Sequence, residues 1–332
     1  MSEDGDGLVI GVDVGGTKVA AGFVDAAGKI TTQVRNPMVA DGDAAQGFEA
    51  VKAAIDALLA LDSNQPVHGI GICSPGPLDP GTGVVINPPN LPCWRNFPLA
   101  SETGRIYRLP VKLDNDANAA GLAEALWGAG AGYRNVFYAT IGTGIGTGLV
   151  FDGALYHGRT GAAGEGGHMS IDYRGPQCGC GKRGCIETLA AGPAIGRRAQ
   201  EKLAQEVGRK SMLWELANGR PEAVSSEMVG RADAAGDALA HEVLAETIAL
   251  LSVWLGNIID LLEPDVIIMG GGVASMLKPF FPEIQRKTSQ DCVNSRAPEI
   301  PLLAGCYGAD SGIAGGAALC AQIAPAHPSL KF

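Results

Sequence analysis

The sequence predicts an α/β protein of two domains. Three observations carry this reading. The chain has 332 residues, 46% of them hydrophobic, which is long for a single core. Apolar runs of strand length alternate with segments of helical period. One strand–turn–strand hairpin occurs twice, as GVDVGGTKVAAGFVDAAGKI near the start and ATIGTGIGTGLVFDGALYHG in the middle. The 48 glycines follow no collagen period and gather in short clusters, where backbone must approach something closely or take positive φ.

The elements follow in order. LVIGVDV (8–14) is an apolar strand that runs into Gly15, Gly16, Thr17 and Lys18; VAAGFVD is a second strand, and GKI leads into a third. This hairpin opening, with no G-x-G-x-x-G and no G-x-x-x-x-G-K-[ST], speaks against a dinucleotide fold or a P-loop. Asp13 beside a Gly-Gly-Thr turn suits Mg²⁺–phosphate binding, with backbone N–H groups and the Thr17 hydroxyl facing the phosphates; the alternative is an ordinary hairpin turn. Phe48, Val51, Ile55, Leu58 and Leu59 have helical spacing over 46–61. VHGIGICSPG is a strand that ends in a glycine/proline loop, followed by a long proline-rich passage containing Asn90.

Val111–Leu113 form a short strand, Asp114–Asp116 its polar end and Ala117–Trp127 a helix. Asp116 stands where strand gives way to helix, a frequent place for chemistry in α/β folds. It serves there either as a reacting group or as a helix cap, while Asn115 ends the strand. The second hairpin reads as strand 135–141, a turn through Gly142, Thr143 and Gly144, strand 147–151, a D-G turn and another short strand. Two such turns facing one another would clamp a nucleotide's phosphates between two domains. Residues 187–210 and 235–263 are helical, while 211–233 is helix-poor and peripheral. DVIIMGGGVA (265–274) is a strand, then Gly270, Gly271 and Gly272, which would admit a flat base or ribose against backbone, then a helix start. A small-residue helix closes the pattern and packs back on the first domain.

Net charge is −10, from 35 acidic and 25 basic residues, which argues against a general nucleic-acid binder. No uninterrupted apolar run reaches the length of a membrane span. The acidic start MSEDGDG lacks the basic and apolar parts of a secretory signal, so a cytoplasmic protein is expected, with no membrane and no nucleic-acid partner. Eight cysteines in a chain this long do not make a disulfide scaffold; Cys73, Cys93, Cys292, Cys306 and Cys320 read as buried free thiols.

The other three, Cys178, Cys180 and Cys185, form C-x-C-x4-C with His168 ten residues before the first. Gly179, Gly181 and Gly184 let the chain turn the thiolates toward one point. Three sulfurs and a nitrogen suit tetrahedral Zn²⁺, and four protein ligands would close the site, giving the metal a structural role. Dithiol redox chemistry lacks its C-x-x-C, iron–sulfur ligation normally uses four thiolates, and three unliganded cysteines are the plain alternative. A loop fixed by zinc would hold Glu165 and Glu187 near a ligand.

Together DVGGTK, LDNDANAA, IGTGIGTG, GEGGH, the C-x-C-G-x-x-G-C-x-E run and MGGG resemble the ROK family of sugar kinases and regulators, in order across residues 8–320. The resemblance implies a two-domain actin/hexokinase-like (ribonuclease H-like) ATPase fold with an interdomain cleft. It divides the chain into an N-terminal α/β domain, 1–117, rejoined by a C-terminal helix at 311–332, and a larger α/β domain, 118–310, with the zinc loop 168–187. It implies a homodimer and a kinase that uses ATP, Mg²⁺ and structural Zn²⁺. Transfer to O6 of glucose is the leading expectation, and fructose, mannose or an N-acetylhexosamine are the alternatives.

By the same resemblance Asp116 is the base, and Asn115, Glu165, His168 and Glu187 hold sugar hydroxyls. Asn90 lies either in surface filler or on one wall of the sugar pocket. His168, Cys178, Cys180 and Cys185 match the zinc ligands, so His168 would serve zinc with one ring nitrogen and sugar with the other. Asp13, Gly15, Gly16, Thr17, Lys18, Gly142, Thr143, Gly144 and Gly270–Gly272 fall to the nucleotide. The first strand at Leu8 leaves no room for the winged helix-turn-helix of the family's repressors. A non-catalytic sugar sensor remains the alternative of a different class. Glycoside hydrolysis by Glu165 and Glu187 would leave both phosphate turns unexplained.

Overall fold

The computed structural model describes residues 7–62, 66–205 and 210–321. The acidic start, residues 206–209 of the expected helical stretch, and the end of the expected C-terminal helix lie outside the described residues. The elements run β1 (Leu8–Val14), β2 (Lys18–Val24), β3 (Ile30–Pro37), α1 (Ala44–Leu61), β4 (Val67–Ser74), β5 (Leu78–Asp79), β6 (Val84–Val85), α2 (Leu99–Tyr107), β7 (Val111–Asn115) and α3 (Asp116–Leu126). There follow β8 (Asn135–Ile141), β9 (Ile145–Phe151), β10 (Ala154–Leu155), α4 (Ile186–Ala190), α5 (Gly192–Gln205), α6 (Met212–Leu216), α7 (Ser226–Ala234) and α8 (Ala238–Leu262). The chain continues through β11 (Val266–Gly270), α9 (Gly271–Leu277), α10 (Phe281–Asp291), β12 (Leu302–Ala304) and α11 (Ser311–Ala321).

Both large sheets repeat one plan. The first has the order β3-β2-β1-β4-β7 and the second β10-β9-β8-β11-β12. In the first, β1, β4 and β7 are parallel and β2 and β3 return antiparallel. In the second, β8, β11 and β12 are parallel and β10 pairs antiparallel with β9. The hairpin seen twice in the sequence is therefore the leading edge of two equivalent sheets. The D-G turn between β9 and β10 has φ of 52° at Asp152 and 76° at Gly153, the backbone that a two-residue hairpin of right-handed twist requires.

The chain divides into two compact units, Met1–Asn135 with Gly148–Gly164 and Tyr307–Phe332, and Val136–Thr147 with Glu165–Cys306. Ile10, Val12, Phe23, Val51, Ile55, Ile70 and Ile72 form the core of the first beneath α1. Asp43 caps α1 in a reciprocal bond with Gln46. On the opposite face α11 lies so close that a Cβ on Gly71 would stand 1.7 Å from the Gly316 carbonyl oxygen, and one on Gly11 1.9 Å from that of Ile313. The sequence grouped 118–310 together. Instead α3 belongs with the first unit, because its small residues meet α11: a Cβ on Gly315 would fall 2.8 Å from the Ala120 nitrogen.

In the second unit α8 is long and apolar enough to cross a membrane by length and composition, yet 61% of its apolar window is buried inside the protein. Its Trp254 is fully buried, packs edge-on against Phe137 at 5.7 Å, and donates from Nε1 to the Gly166 carbonyl at 3.1 Å. The core helix thus anchors the segment that leads into His168. The stretch 211–233, expected to be helix-poor and peripheral, contains α6 and most of α7. Each is started by a serine cap, Ser211 and Ser225, that offsets the glycine and proline between them.

Candidate active site

In the first unit, Asp13 lies near the end of β1, with the Cys73 thiol 3.7 Å from its Oδ1. Gly312 makes room for it: a Cβ there would stand 2.4 Å from the Asp13 carboxyl carbon. Burial pushes the Asp13 carboxyl above its usual range, while the Cys73 thiol and the charges of Lys18 and Arg35 act the other way. The Gly15 N–H closes the β1–β2 turn on the Lys18 carbonyl at 2.9 Å, leaving Thr17 and Lys18 exposed. Gly16 packs against the Asn90 carbonyl, where a Cβ would come within 2.8 Å. The turn and the Asn90 loop are therefore one surface.

At the β7–α3 junction the helix cap is Asn115, whose Oδ1 accepts from the Ala117 N–H at 2.9 Å and the Asn118 N–H at 3.4 Å. Asp116 is left as the first helical residue, its Oδ1 accepting from the Ala117 N–H at 2.8 Å. Its side chain stays open to solvent, but the protein around it pushes its carboxyl up to about 6. Desolvation is the main cause, and the charge of Asp13 adds to it. One step earlier, Asp114 is 3% exposed, yet fully bonded. Its Oδ1 accepts from the Asn115 N–H (2.7 Å) and the Asn118 amide (3.0 Å), and its Oδ2 meets His157 Nε2 at 2.5 Å. Sequence reasoning missed His157, which lies 43 residues from its partner.

In the second unit, the ligand atoms of His168, Cys178, Cys180 and Cys185 all lie within 4.8 Å of one another. Cys180 Sγ to Cys185 Sγ is 3.6 Å and Cys178 Sγ to His168 Nδ1 is 3.5 Å. A tetrahedral zinc with bonds of about 2.3 Å to sulfur and about 2.0 Å to nitrogen needs edges of roughly 3.5–3.8 Å, so the donors fit the ion. The close approach of Nδ1 to a thiol would make it the ligating nitrogen, with Nε2 turned to the other side, 4.0 Å from Glu165 Oε2. The chain reaches this geometry through Gly184, at φ 63° and tight against the Asp172 carbonyl.

Glu187 follows Cys185 on the first turn of α4. Its Oε1 lies 4.0 Å from His168 Nδ1 and its Oε2 accepts from the Ile145 N–H at 2.9 Å. Gly144 faces the same oxygen, where a Cβ would intrude to 2.5 Å, so Gly144 serves this contact within the turn.

A cavity of about 1040 Å³ opens beside that turn, wholly within the second unit. Gly142, Thr143 and Gly272 line it, and nothing lies within 4 Å of the Cβ positions of Gly142 and Gly272, so their backbone is approachable. Gly270 is backed by the Tyr138 ring and Gly271 by the Ile141 carbonyl, so neither position has room for a side chain. The other walls went unread in the sequence: Gly192, Gly196 and Arg197 of α5, Ser226 and Arg231 of α7, and Met276 of α9. Their signal was the four-residue spacing of small residues, Gly192 with Gly196 and Ser226 with Gly230, which flattens one face of each helix.

Two equivalent α/β sheets, each led by a glycine-turn hairpin, define an actin/hexokinase-like fold. Within that class the chain belongs to the ROK family, whose pattern matches residues 9–323. It is 33% identical to a glucokinase of Thermotoga maritima over 94% of this chain and 96% of that one. The structure of a ROK family glucokinase from Streptomyces griseus, in complex with glucose and AMPPNP, superposes with a TM-score of 0.80 at 32% identity. That likeness covers 95% of this chain and all of that one. A ROK family transcriptional regulator, a homologue of the E. coli MLC protein, superposes with a TM-score of 0.83 at 26% identity, over 95% of this chain and 78% of its own.

Proposed function

We propose that the protein is an ATP-dependent hexose kinase that transfers the γ-phosphoryl group to O6 of glucose. The observation that carries this reading is Asp116: an accessible carboxylate at a strand-to-helix junction, fixed by a backbone N–H, with its carboxyl raised to about 6. Such a group is ionised at neutral pH and close enough in basicity to accept a hydroxyl proton.

In this reading Asp116 takes the O6 proton as the oxygen attacks the γ-phosphorus in line. Asn90, Asn115, Glu165, His168 Nε2 and Glu187 hold the hydroxyls that orient the ring. Gly16, Thr17 and Lys18 of one turn and Thr143 of the other donate to phosphate oxygens, while Gly15 and Gly142, whose N–H groups close their own turns on the Lys18 and Gly144 carbonyls, let the backbone approach; the second-unit cavity takes the base and ribose. Asp13 would hold Mg²⁺, which usually keeps most of its waters and takes one or two carboxylates, and which would neutralise phosphoryl charge when bound. Zinc, held by four protein donors, has no open position for substrate and would supply rigidity to the loop that carries Glu165, His168 and Glu187.

Similarity to glucokinases supports the choice of sugar, and the absence of any chemical need for a base in a binding-only protein supports catalysis. The likeness to a regulator favours a second reading, a sugar sensor. ATP with a panel of glucose, mannose, fructose, N-acetylglucosamine and N-acetylmannosamine separates them, with ADP release and product mass followed together. Glucose 6-phosphate as the preferred product is the expected result. Another sugar phosphate would change the substrate alone, and hexose binding without any turnover would leave the sensor.

A further inference from the structure

The zinc knot and the β8–β9 turn are joined by hydrogen bonds on both sides. Ahead of His168, the Gly166 N–H donates to Thr147 Oγ1 at 2.9 Å. Gly167 is pressed so close to Ile145 that a Cβ would stand 1.9 Å from its carbonyl oxygen. Behind Cys185, Glu187 Oε2 accepts from the Ile145 N–H at 2.9 Å and the Gly192 N–H donates to the Gly142 carbonyl at 2.8 Å. The two ends of the 142–145 turn are thus tied to the seven residues that follow the last zinc ligand, and the strand beyond it to the residues that precede the first.

We propose that Glu187 is a positioning residue for the nucleotide-binding turn, through which the zinc knot sets the protein's affinity for nucleotide. The inference rests on the assignment of the 142–145 turn and its cavity to ATP, and adds to Glu187 a role other than holding sugar. A carboxylate bonded to a backbone N–H is a strong, charge-assisted acceptor. Its Cα lies two residues from a ligand, so the knot limits where that acceptor can be. With the knot open, the turn loses its fixed acceptor, and the backbone of Gly142 and Thr143, closed by the Gly142 N–H on the Gly144 carbonyl at 2.9 Å, no longer holds a single shape. Binding must then restore that order, which weakens affinity.

Calorimetric titration of the zinc-loaded full chain with Mg²⁺–AMPPNP, in the absence of sugar, tests this on wild type, Glu187→Gln and Glu187→Ala. Glu187→Ala binds the nucleotide about tenfold more weakly, the scale of one lost charge-assisted bond, with unchanged zinc content. Glu187→Gln falls between wild type and Glu187→Ala, because its amide oxygen can still accept from Ile145 but without the charge. Chelation of zinc from wild type weakens AMPPNP binding by a similar factor, and adds little in Glu187→Ala, since both act on one link. In wild type the Ile145 amide exchanges its hydrogen faster once zinc is removed, a readout that needs no variant to fold. Equal AMPPNP affinity in wild type and Glu187→Ala, or an Ile145 amide indifferent to zinc, overturns the proposal. No AMPPNP binding by zinc-loaded wild type instead removes the kinase reading beneath it.

Discussion

His157 Nε2 meets Asp114 Oδ2 at 2.5 Å, and this contact supports the turn that carries Asn115 and Asp116. Asp114 spends its other oxygen on the Asn115 N–H and the Asn118 amide, so a buried carboxylate organises the whole junction and His157 is its counter-charge. The bond to Asp114 raises the His157 pKa despite partial burial, which acts downward. A raised histidine contributes stability that is fully present below its unfolded value of about 6.5 and is lost as pH rises through the folded value. His157→Ala is therefore expected to cost about 2 kcal/mol at pH 6, with the difference from wild type narrowing by pH 9. Urea unfolding at the two pH values measures it; an equal loss at both would mean that packing, and not charge, is what His157 supplies.

The contact of α11 with the first sheet is backbone against backbone. A Cβ on Gly71 would lie 1.7 Å from the Gly316 oxygen, and no side-chain rotamer can relieve that. Gly71→Ala must push the helix from the sheet and disturb Gly312 beside Asp13 as well. The expected loss is about 3 kcal/mol, at the upper end for an overpacked core. Thermal unfolding of the variant gives the answer, and a midpoint within a degree or two of wild type would mean that α11 sits further out.

Much of this was legible. The hairpin echo could be read because strand periodicity, glycine turns and the D-G dipeptide are all local signals, and the cluster of His168, Cys178, Cys180 and Cys185 because a short loop constrains their spacing. The His157–Asp114 pair could not, since nothing local links a histidine after one hairpin to an aspartate in another sheet. At the junction, Asn115 and Asp116 are equally good helix caps by type. The backbone decides between them: Asn115 takes the extended φ −64°, ψ 147° of a cap and leaves Asp116 free for chemistry. The cavity wall on α7 escaped because it is made by small residues, whose contribution is the space they leave.

Cys180 is the exposed member of the proposed zinc knot, so its removal opens no core cavity and tests the loss of one metal donor by itself. Cys180→Ala is expected to hold well below the one zinc per chain that four donors would bind, and to raise the KM for hexose while the first unit, which does not contain the loop, unfolds as in wild type. Cys306→Ser, outside the knot, should leave zinc content unchanged. Elemental analysis of the purified variants, set beside their sugar kinetics, decides it: full zinc together with wild-type kinetics in Cys180→Ala would sink the role given to the knot.

Asp116 makes two demands that pull in opposite directions. As a base it works only when ionised, so with its carboxyl at about 6 the rate is expected to fall about tenfold per pH unit below that value. As an acid whose pKa the folded chain raises, it weakens the fold when charged. The folded chain binds its proton more tightly than the unfolded one, so this contribution is favourable below about pH 4 and is lost as pH rises through 6. Asp116→Asn removes both effects at once. It should reduce kcat by a factor of about 10² to 10⁴ while raising the unfolding temperature at pH 7.5, a gain that fades toward pH 4. The paired measurement is a pH–rate profile of wild type and melting curves of both proteins. An acid limb near 4, or a variant that melts below wild type at neutral pH, would show that Asp116 is an ordinary solvated carboxylate and would return the search for the base to Asp13.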